Sequence, residues 1–401
     1  MGRVKNCHAL LDYIHSTCYY WVVARPHYQA ALNVTVRALR EKFHPPDYPL
    51  IVVTVVLTIF GLLMVYDASV AIAIRDFSDK YHFVRDQLRW ILVGAVVFVG
   101  MSRIDYHRWF SLAVPLLVVT LILLGAVFLP GIGVSALGAS RWINVGLFVF
   151  QPAELAKLTL VIYLAAWFSH PEKGRIGAFL LLLVMIVGLV VAEPDLGTAL
   201  IILTTAVVVY FISGAPVWHF LLLIPIALIS VTGLAVASPY RMRRIMTFIS
   251  PQTDPLGASY QIRQALLALG SGGLFGIGIG KSRQKYEYLP EANTDSIFAI
   301  VGEEIGFFGA SAVVALFLFL VWRAFRIGRL APDTFGRYLA LGIASWIGIQ
   351  TAINLGAMVA LIPLTGVPLP LISYGGSSLI LTLAGLGILV NISRQRVTTH
   401  V

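Results

Sequence analysis

Charge is what this chain has least of. Only 12% of its 401 residues are Asp, Glu, Lys or Arg, about half the share of a soluble domain. With 58% hydrophobic residues, that scarcity excludes an ordinary water-soluble globule. The short segments of alternating polarity that build a membrane β-barrel are also missing. Cysteine is nearly absent: Cys7 and Cys18 both precede the first long apolar run. In a cytoplasmic tail they are reduced thiols without a structural role. The only strong apolar stretch ahead of residue 45, Tyr19 to Ala24, is too short to span a bilayer, so no cleavable signal peptide is expected. A Walker A loop is lacking as well. The run ending Gly280-Lys281-Ser282 has Phe275 where that pattern needs glycine.

Long apolar runs, by contrast, recur from residue 48 onward, each near the length a membrane helix needs. The fold class read from them is an all-α polytopic membrane protein with about ten transmembrane helices. They fall near 48–68, 88–102, 111–130, 152–168, 177–192, 197–213, 217–237, 297–322, 338–361 and 372–392. One large extracytoplasmic loop, residues 238–296, joins spans seven and eight. Residues 1–46 read as a cytoplasmic tail, 47–396 as the membrane domain and 397–401 as a second short tail. Lys and Arg crowd one set of alternate loops, as at Arg103, Arg108, Lys173, Arg175, Arg323, Arg326, Arg329 and Arg337. Few stand on the other side, at Arg75, Lys80, Arg85, Arg89 and Arg141. The positive-inside rule then places both termini in the cytoplasm. The net charge of +10 follows membrane sidedness in this way, and nucleic acid is not an expected partner.

The large loop breaks the rule, and its basic residues need another explanation. Arg241, Arg243 and Arg244 follow span seven. They fit snorkelling toward anionic headgroups or a clamp on a phosphate-bearing lipid, since Arg forks match phosphate oxygens. Residues 259–269 read as a short amphipathic helix with Ile262, Ala265, Leu266 and Leu269 on one face, lying in the interface. Six glycines between 270 and 280 precede Lys281, Arg283 and Lys285. That order fits close backbone approach to a phosphate, or a flexible hairpin. The loop ends in an acidic segment holding Glu287, Glu291 and Asp295, followed by Glu303 and Glu304. Charge at a membrane boundary is expensive, which makes Asp295 a candidate for proton chemistry.

Three further sites carry two readings each. Glu154 and Lys157 share a helical face as a neutralising pair or as the wall of a polar cavity. Glu193 and Asp195 bracket Pro194 in a tight external turn, where Asp195 either caps the next helix over Gly197 and Thr198 or binds substrate. Residues 363–378, PLTGVPLPLISYGGSS, are irregular backbone at membrane depth. Such a segment must be buried in protein or line a wet cavity, and it reads as support for the site.

Six of these motifs, in this order, resemble the SEDS family (shape, elongation, division and sporulation) of bacterial membrane proteins. They are GASRWI at 138–143, QPAELAKL at 151–158, EPDLGTAL at 193–200, YQIRQALLALGSGGLFGIG at 260–278, KYEYLPEANTDSIFAIVGEE at 285–304 and the 363–378 segment. The division branch, FtsW, and its sporulation relative SpoVE are nearer than RodA. The resemblance implies a peptidoglycan glycosyltransferase polymerising lipid II at the division septum. It implies Asp295 as the general base and Glu291 as its motif partner. Undecaprenyl pyrophosphate would be the leaving group, held by Arg241, Arg243, Lys281, Arg283 and Lys285, with Glu154, Lys157 and Asp195 as further substrate contacts. Asn293 stands where the family usually has histidine and Ser296 where it has phenylalanine, so an imidazole is not required. A divalent cation, Mg²⁺ or Mn²⁺, bridging pyrophosphate and carboxylate fits this chemistry, though no metal ligand set is assigned. The implied partners are lipid II, the lipid-linked glycan, membrane lipids, divisome proteins and an FtsI-like class B penicillin-binding protein. The implied location is the bacterial inner membrane. A lipid II flippase and a non-catalytic scaffold for the transpeptidase are the competing readings.

Overall fold

The computed structural model describes residues 44–136, 139–144, 146, 149–170, 176–236, 242, 246, 248, 258–286 and 288–395. Residues Pro46–Val401 form one compact unit. A helix lies at each of the ten expected apolar segments: α1 Tyr48–Phe77, α2 His82–Arg103, α3 His107–Ala126, α4 Pro152–Phe168, α5 Ile176–Ala192, α6 Leu196–Ile212, α7 Val217–Val236, α9 Ile297–Arg329, α10 Thr334–Met358 and α11 Gly376–Arg394. Of these, α1, α3, α9, α10 and α11 are long and apolar enough to cross a membrane, and α5 and α6 are shorter apolar helices. Between them, α8 (Ala258–Ser271) packs along α9.

The all-α expectation needs one correction. Three short antiparallel strands, β1 Gly133–Ala136, β2 Ala139–Asn144 and β3 Val149–Phe150, form a sheet in the order β1-β2-β3. Val134 pairs with Trp142 and Ile143 with Phe150. This stretch is too short to span, and its β-branched and aromatic residues suit a pleated surface. The sheet delivers Arg141 to the turn between α5 and α6, where its guanidinium donates to the Glu193 and Pro194 carbonyls.

The core runs through α4, α10 and α11, whose buried residues include Trp346, Leu160, Leu164 and Leu386. Small residues bring backbones together, as membrane packing favours. A Cβ at Gly387 of α11 would lie 2.6 Å from the Phe98 carbonyl oxygen of α2. At the start of α1, Asp47 pairs with Arg323 near the end of α9. At that same end of α9, His107 is held between Asp105 and Asp333, at 2.7 Å on each side. That His107 contact holds the Asp105 carboxyl down at about 2.

Candidate functional site

Asp295 is fixed by its backbone. It lies in the turn that leads into α9 and is 9% exposed. The carbonyls of three successive residues each meet a donor from elsewhere in the bundle. Asn293 accepts from the Tyr374 N–H at 2.9 Å, Thr294 from the Ser373 hydroxyl, and Asp295 from Asn354 Nδ2 at 2.8 Å. Asn354 also donates to the Val367 carbonyl at 2.8 Å, and one turn earlier Gln350 donates to Pro368 at 3.0 Å. The irregular 363–378 segment is therefore a brace, as its composition suggested. Buried carbonyls without donors are costly, so this stitching leaves the Asp295 backbone one position. The Thr294 hydroxyl donates to Glu291 Oε2 at 2.7 Å and lies 3.5 Å from Asp295 Oδ1, linking the two acids. Glu291 itself is exposed. Of the two departures from the family pattern, Asn293 is buried and Ser296 accepts from Gln261 Nε2 at 2.9 Å.

The glycine-rich loop takes an anion, but that anion belongs to the protein. Gly276 and Gly306 are both at positive φ, and α9 breaks at Gly306. A Cβ on Gly276 would lie 2.1 Å from the Glu304 carbonyl oxygen, and one on Gly306 would lie 2.2 Å from the Gly276 nitrogen. Only glycine permits this contact of backbone on backbone. The Ile277 and Gly278 N–H groups donate to the Glu303 and Glu304 carbonyls, both at 3.0 Å. Past the break, Phe307 and Phe308 donate back to Gly273 and Leu274. The loop's next amides close on carboxylates. Gly280 and Ser282 N–H groups donate to Glu304 at 3.0 Å each, and the Ser282 hydroxyl and Arg283 N–H donate to Glu303. The glycines thus bring the loop onto α9, whose Glu303 and Glu304 take these donors.

Lys285, expected to bind pyrophosphate, is buried on Asp67 of α1 at 2.8 Å and on Glu304 at 3.3 Å. Burial alone would pull its ammonium down, but Asp67 and Glu304 outweigh that and leave its pKa raised. Lys281 and Arg283 remain exposed. Among the described residues, neither makes a side-chain ion pair. Arg241 and Arg243 lie outside the described residues.

The remaining candidates make contacts within the protein. Lys157 donates to Glu154 Oε1 at 2.7 Å and Gln350 Oε1 at 2.8 Å, with side-chain exposures of 1% and 3% for the ion pair. The pair is buried between α4 and α10. Asp195 caps α6 through the Thr198 N–H at 3.0 Å and hydroxyl at 2.8 Å, and accepts from Gln151 at 3.0 Å. Its neighbour Glu193 is buried, and neither of its carboxyl oxygens has a hydrogen-bond partner among the described residues. Burial first, then the charge of Asp195, pushes that carboxyl up to about 8, against a smaller opposing pull from Arg141. On α8, Ile262, Ala265 and Ala268 turn inward while Leu266 is exposed, which moves the expected apolar face by part of a turn.

The sequence reading missed Asp67, Asn354, Gln350 and Ser373. A signal existed for the first three, since each is a polar residue inside an apolar helix, and such residues usually have a partner.

Apolar helices enclosing a braced acidic turn define a multi-pass helical membrane protein. The model of the FtsW/RodA/SpoVE cell cycle proteins matches residues 48–398, and this chain belongs to that family. It is 42% identical over 356 residues to stage V sporulation protein E of Bacillus subtilis (strain 168), covering 87% of this chain and 97% of that protein. It is also 42% identical over 359 residues to a probable peptidoglycan glycosyltransferase FtsW of Geobacter sp. (strain M18), with coverage of 87% and 97%. Among solved structures, a chain from a peptidoglycan synthase complex that coordinates polymerization and crosslinking superposes with a TM-score of 0.72. Its identity is 31%, with 87% of this chain and 98% of that chain covered.

Proposed function

We propose that this protein is a peptidoglycan glycosyltransferase that polymerises lipid II at the outer face of the bacterial inner membrane. The observation that carries the reading is the brace on Asn293, Thr294 and Asp295, which commits three donors to holding one acidic turn. The name of the FtsW relative supports the activity. Asp295 takes the proton from the 4-hydroxyl of the acceptor sugar as that oxygen attacks the anomeric carbon of the lipid-linked strand. A positioned base of this kind is worth about 10² to 10⁴ in rate. One displacement inverts the α-linked donor to a β-linked product and releases undecaprenyl pyrophosphate. Lys281 and Arg283 hold that leaving charge, joined by Arg241 and Arg243.

Among the described residues no cluster of three or more His, Cys, Asp or Glu could hold a metal ion. Glu291 and Asp295, on either side of Thr294, would hold a Mg²⁺ or Mn²⁺ that arrives with the pyrophosphate. Such an ion would offset the leaving charge. In our reading the ten helices span the membrane with both termini in the cytoplasm, and the chain works at the septum with a class B penicillin-binding protein. The similarity to a chain of a synthase complex supports that partnership. The burial of the Glu154–Lys157 pair favours this reading over a flippase, which would use such charges to line a headgroup passage.

The test is polymerisation of labelled lipid II by purified protein, wild type against Asp295→Ala, with and without the cognate transpeptidase. Glycan ladders from wild type that vanish in the variant are expected. No ladders from wild type, even with the partner, would transfer the reading to a flippase or scaffold.

A further inference from the structure

Asp67 is the one acid of α1 placed deep in the bundle near the glycine loop, and the proposed reaction does not use it. It is 9% exposed, its Oδ1 lies 2.8 Å from Lys285 Nζ, and its carboxyl also meets that of Glu304. Burying a carboxylate costs several kcal/mol unless its contacts return it. An acid retained under that cost in an apolar helix calls for a role and a partner.

The partner is Lys285, and its place defines the role. Glu304 ties the loop to α9, the helix that Asp295 precedes, through Gly280, Ser282 and Lys285. Asp67 ties the same lysine to a different helix, α1. The loop segment between Gly280 and Lys285 is thereby held from two sides. That segment carries the exposed Lys281 and Arg283, and Glu304 lies only about 10.5 Å along the helix from its N-terminal end, at 1.5 Å per residue.

We propose that Asp67 is a positioning residue for the cationic edge of the site: acting through Lys285, it fixes Lys281 and Arg283 at the height that receives the pyrophosphate of the lipid-linked donor. The inference rests on the glycosyltransferase reading for its ligand, but not for its geometry. The backbone clamps from Ile277, Gly278, Phe307 and Phe308 do not involve Asp67. Asp67→Asn therefore loosens the loop's basic end without releasing the loop.

Two readouts on protein in nanodiscs test this. The first is trypsin cleavage after Lys281 and Arg283, followed by mass spectrometry, which needs no catalysis. The second is polymerisation kinetics with inorganic pyrophosphate as the competing probe. In Asp67→Asn, cleavage quickens, and KM for lipid II and the inhibition constant for pyrophosphate both rise by about tenfold while kcat stays within about twofold, the pattern of lost binding shared by ground and transition states. Asp67→Glu, which keeps the charge, restores most of both. Unchanged cleavage in Asp67→Asn overturns the inference, whatever happens to KM. Faster cleavage with unchanged KM and pyrophosphate inhibition overturns the assignment of Lys281 and Arg283 to pyrophosphate. If wild type makes no glycan, the proposed function fails, and cleavage alone decides whether Asp67 holds the loop.

Discussion

Glu154 and Asp295 both stand at the N-terminal end of a helix, where the helix dipole favours an acid, yet the bundle treats them in opposite ways. Glu154 is gripped by its side chain, with Lys157 one turn on and Gln350 of α10 completing the lysine's shell. Asp295 is gripped by its main chain, through Asn354, one turn beyond Gln350 on the same helix, with Ser373 and Tyr374 bracing its two predecessors. At Glu154 the side chain is bound up with its cation inside the bundle. At Asp295 the donors grip the backbone, and the Thr294 hydroxyl lies 3.5 Å from its Oδ1. One polar stripe on α10 supports both arrangements, which places structural charge and candidate chemical charge on a common ruler.

Breaking the sealed pair should have the largest effect. Lys157→Met leaves Glu154 buried without its cation, and removing one partner of such a pair costs about 3 to 5 kcal/mol. Thermal unfolding in detergent should show a large drop in Tm. A variant as stable as wild type would mean that water reaches the pair. The next effect depends on pH. Folded Glu193 keeps its proton up to about 8, whereas an ordinary glutamate releases it near 4.5. The folded state then binds more protons between those values, so stability falls as pH rises through them. Glu193→Gln should flatten that fall in Tm between pH 5 and 9, and an unchanged slope would locate the titrating group elsewhere.

Asn354→Leu acts on the Asp295 side. It strips the donor from the Asp295 and Val367 carbonyls at a cost of about 1 to 3 kcal/mol for each buried acceptor. Polymerisation should fall further than the Tm shift explains, because the base is displaced as well. Loss of stability with full activity would show that the brace does not position Asp295. The smallest effect belongs to Asp195→Ala, which removes the α6 cap for about 1 kcal/mol. A larger loss confined to activity would return Asp195 to the substrate-binding residues.

Much of this was legible in the sequence, for local reasons. Length and apolarity set the helices, the capping choice at Asp195 follows from its distance to Thr198, and three prolines in residues 363–370 announce irregular backbone. What the sequence hid is long-range. Lys285 and the glycines before it offer donors to any anion, and nothing nearby says that the anions are Glu303 and Glu304 on the following helix or Asp67, 218 positions away. The Glu154–Lys157 pair reads equally as cavity wall or sealed contact until Gln350, 193 positions away, closes over it. The sheet at 133–150 was hidden by brevity, since its strands are too short to stand out from a loop.

In the proposed reaction Asp295 is held for chemistry and not for stability. The most direct test measures the initial rate of lipid II polymerisation and the Tm on the same preparation of Asp295→Asn. The account predicts a rate lower by about 10² to 10⁴ with a Tm close to wild type. A rate near wild type, or a rate loss fully matched by unfolding, would contradict it.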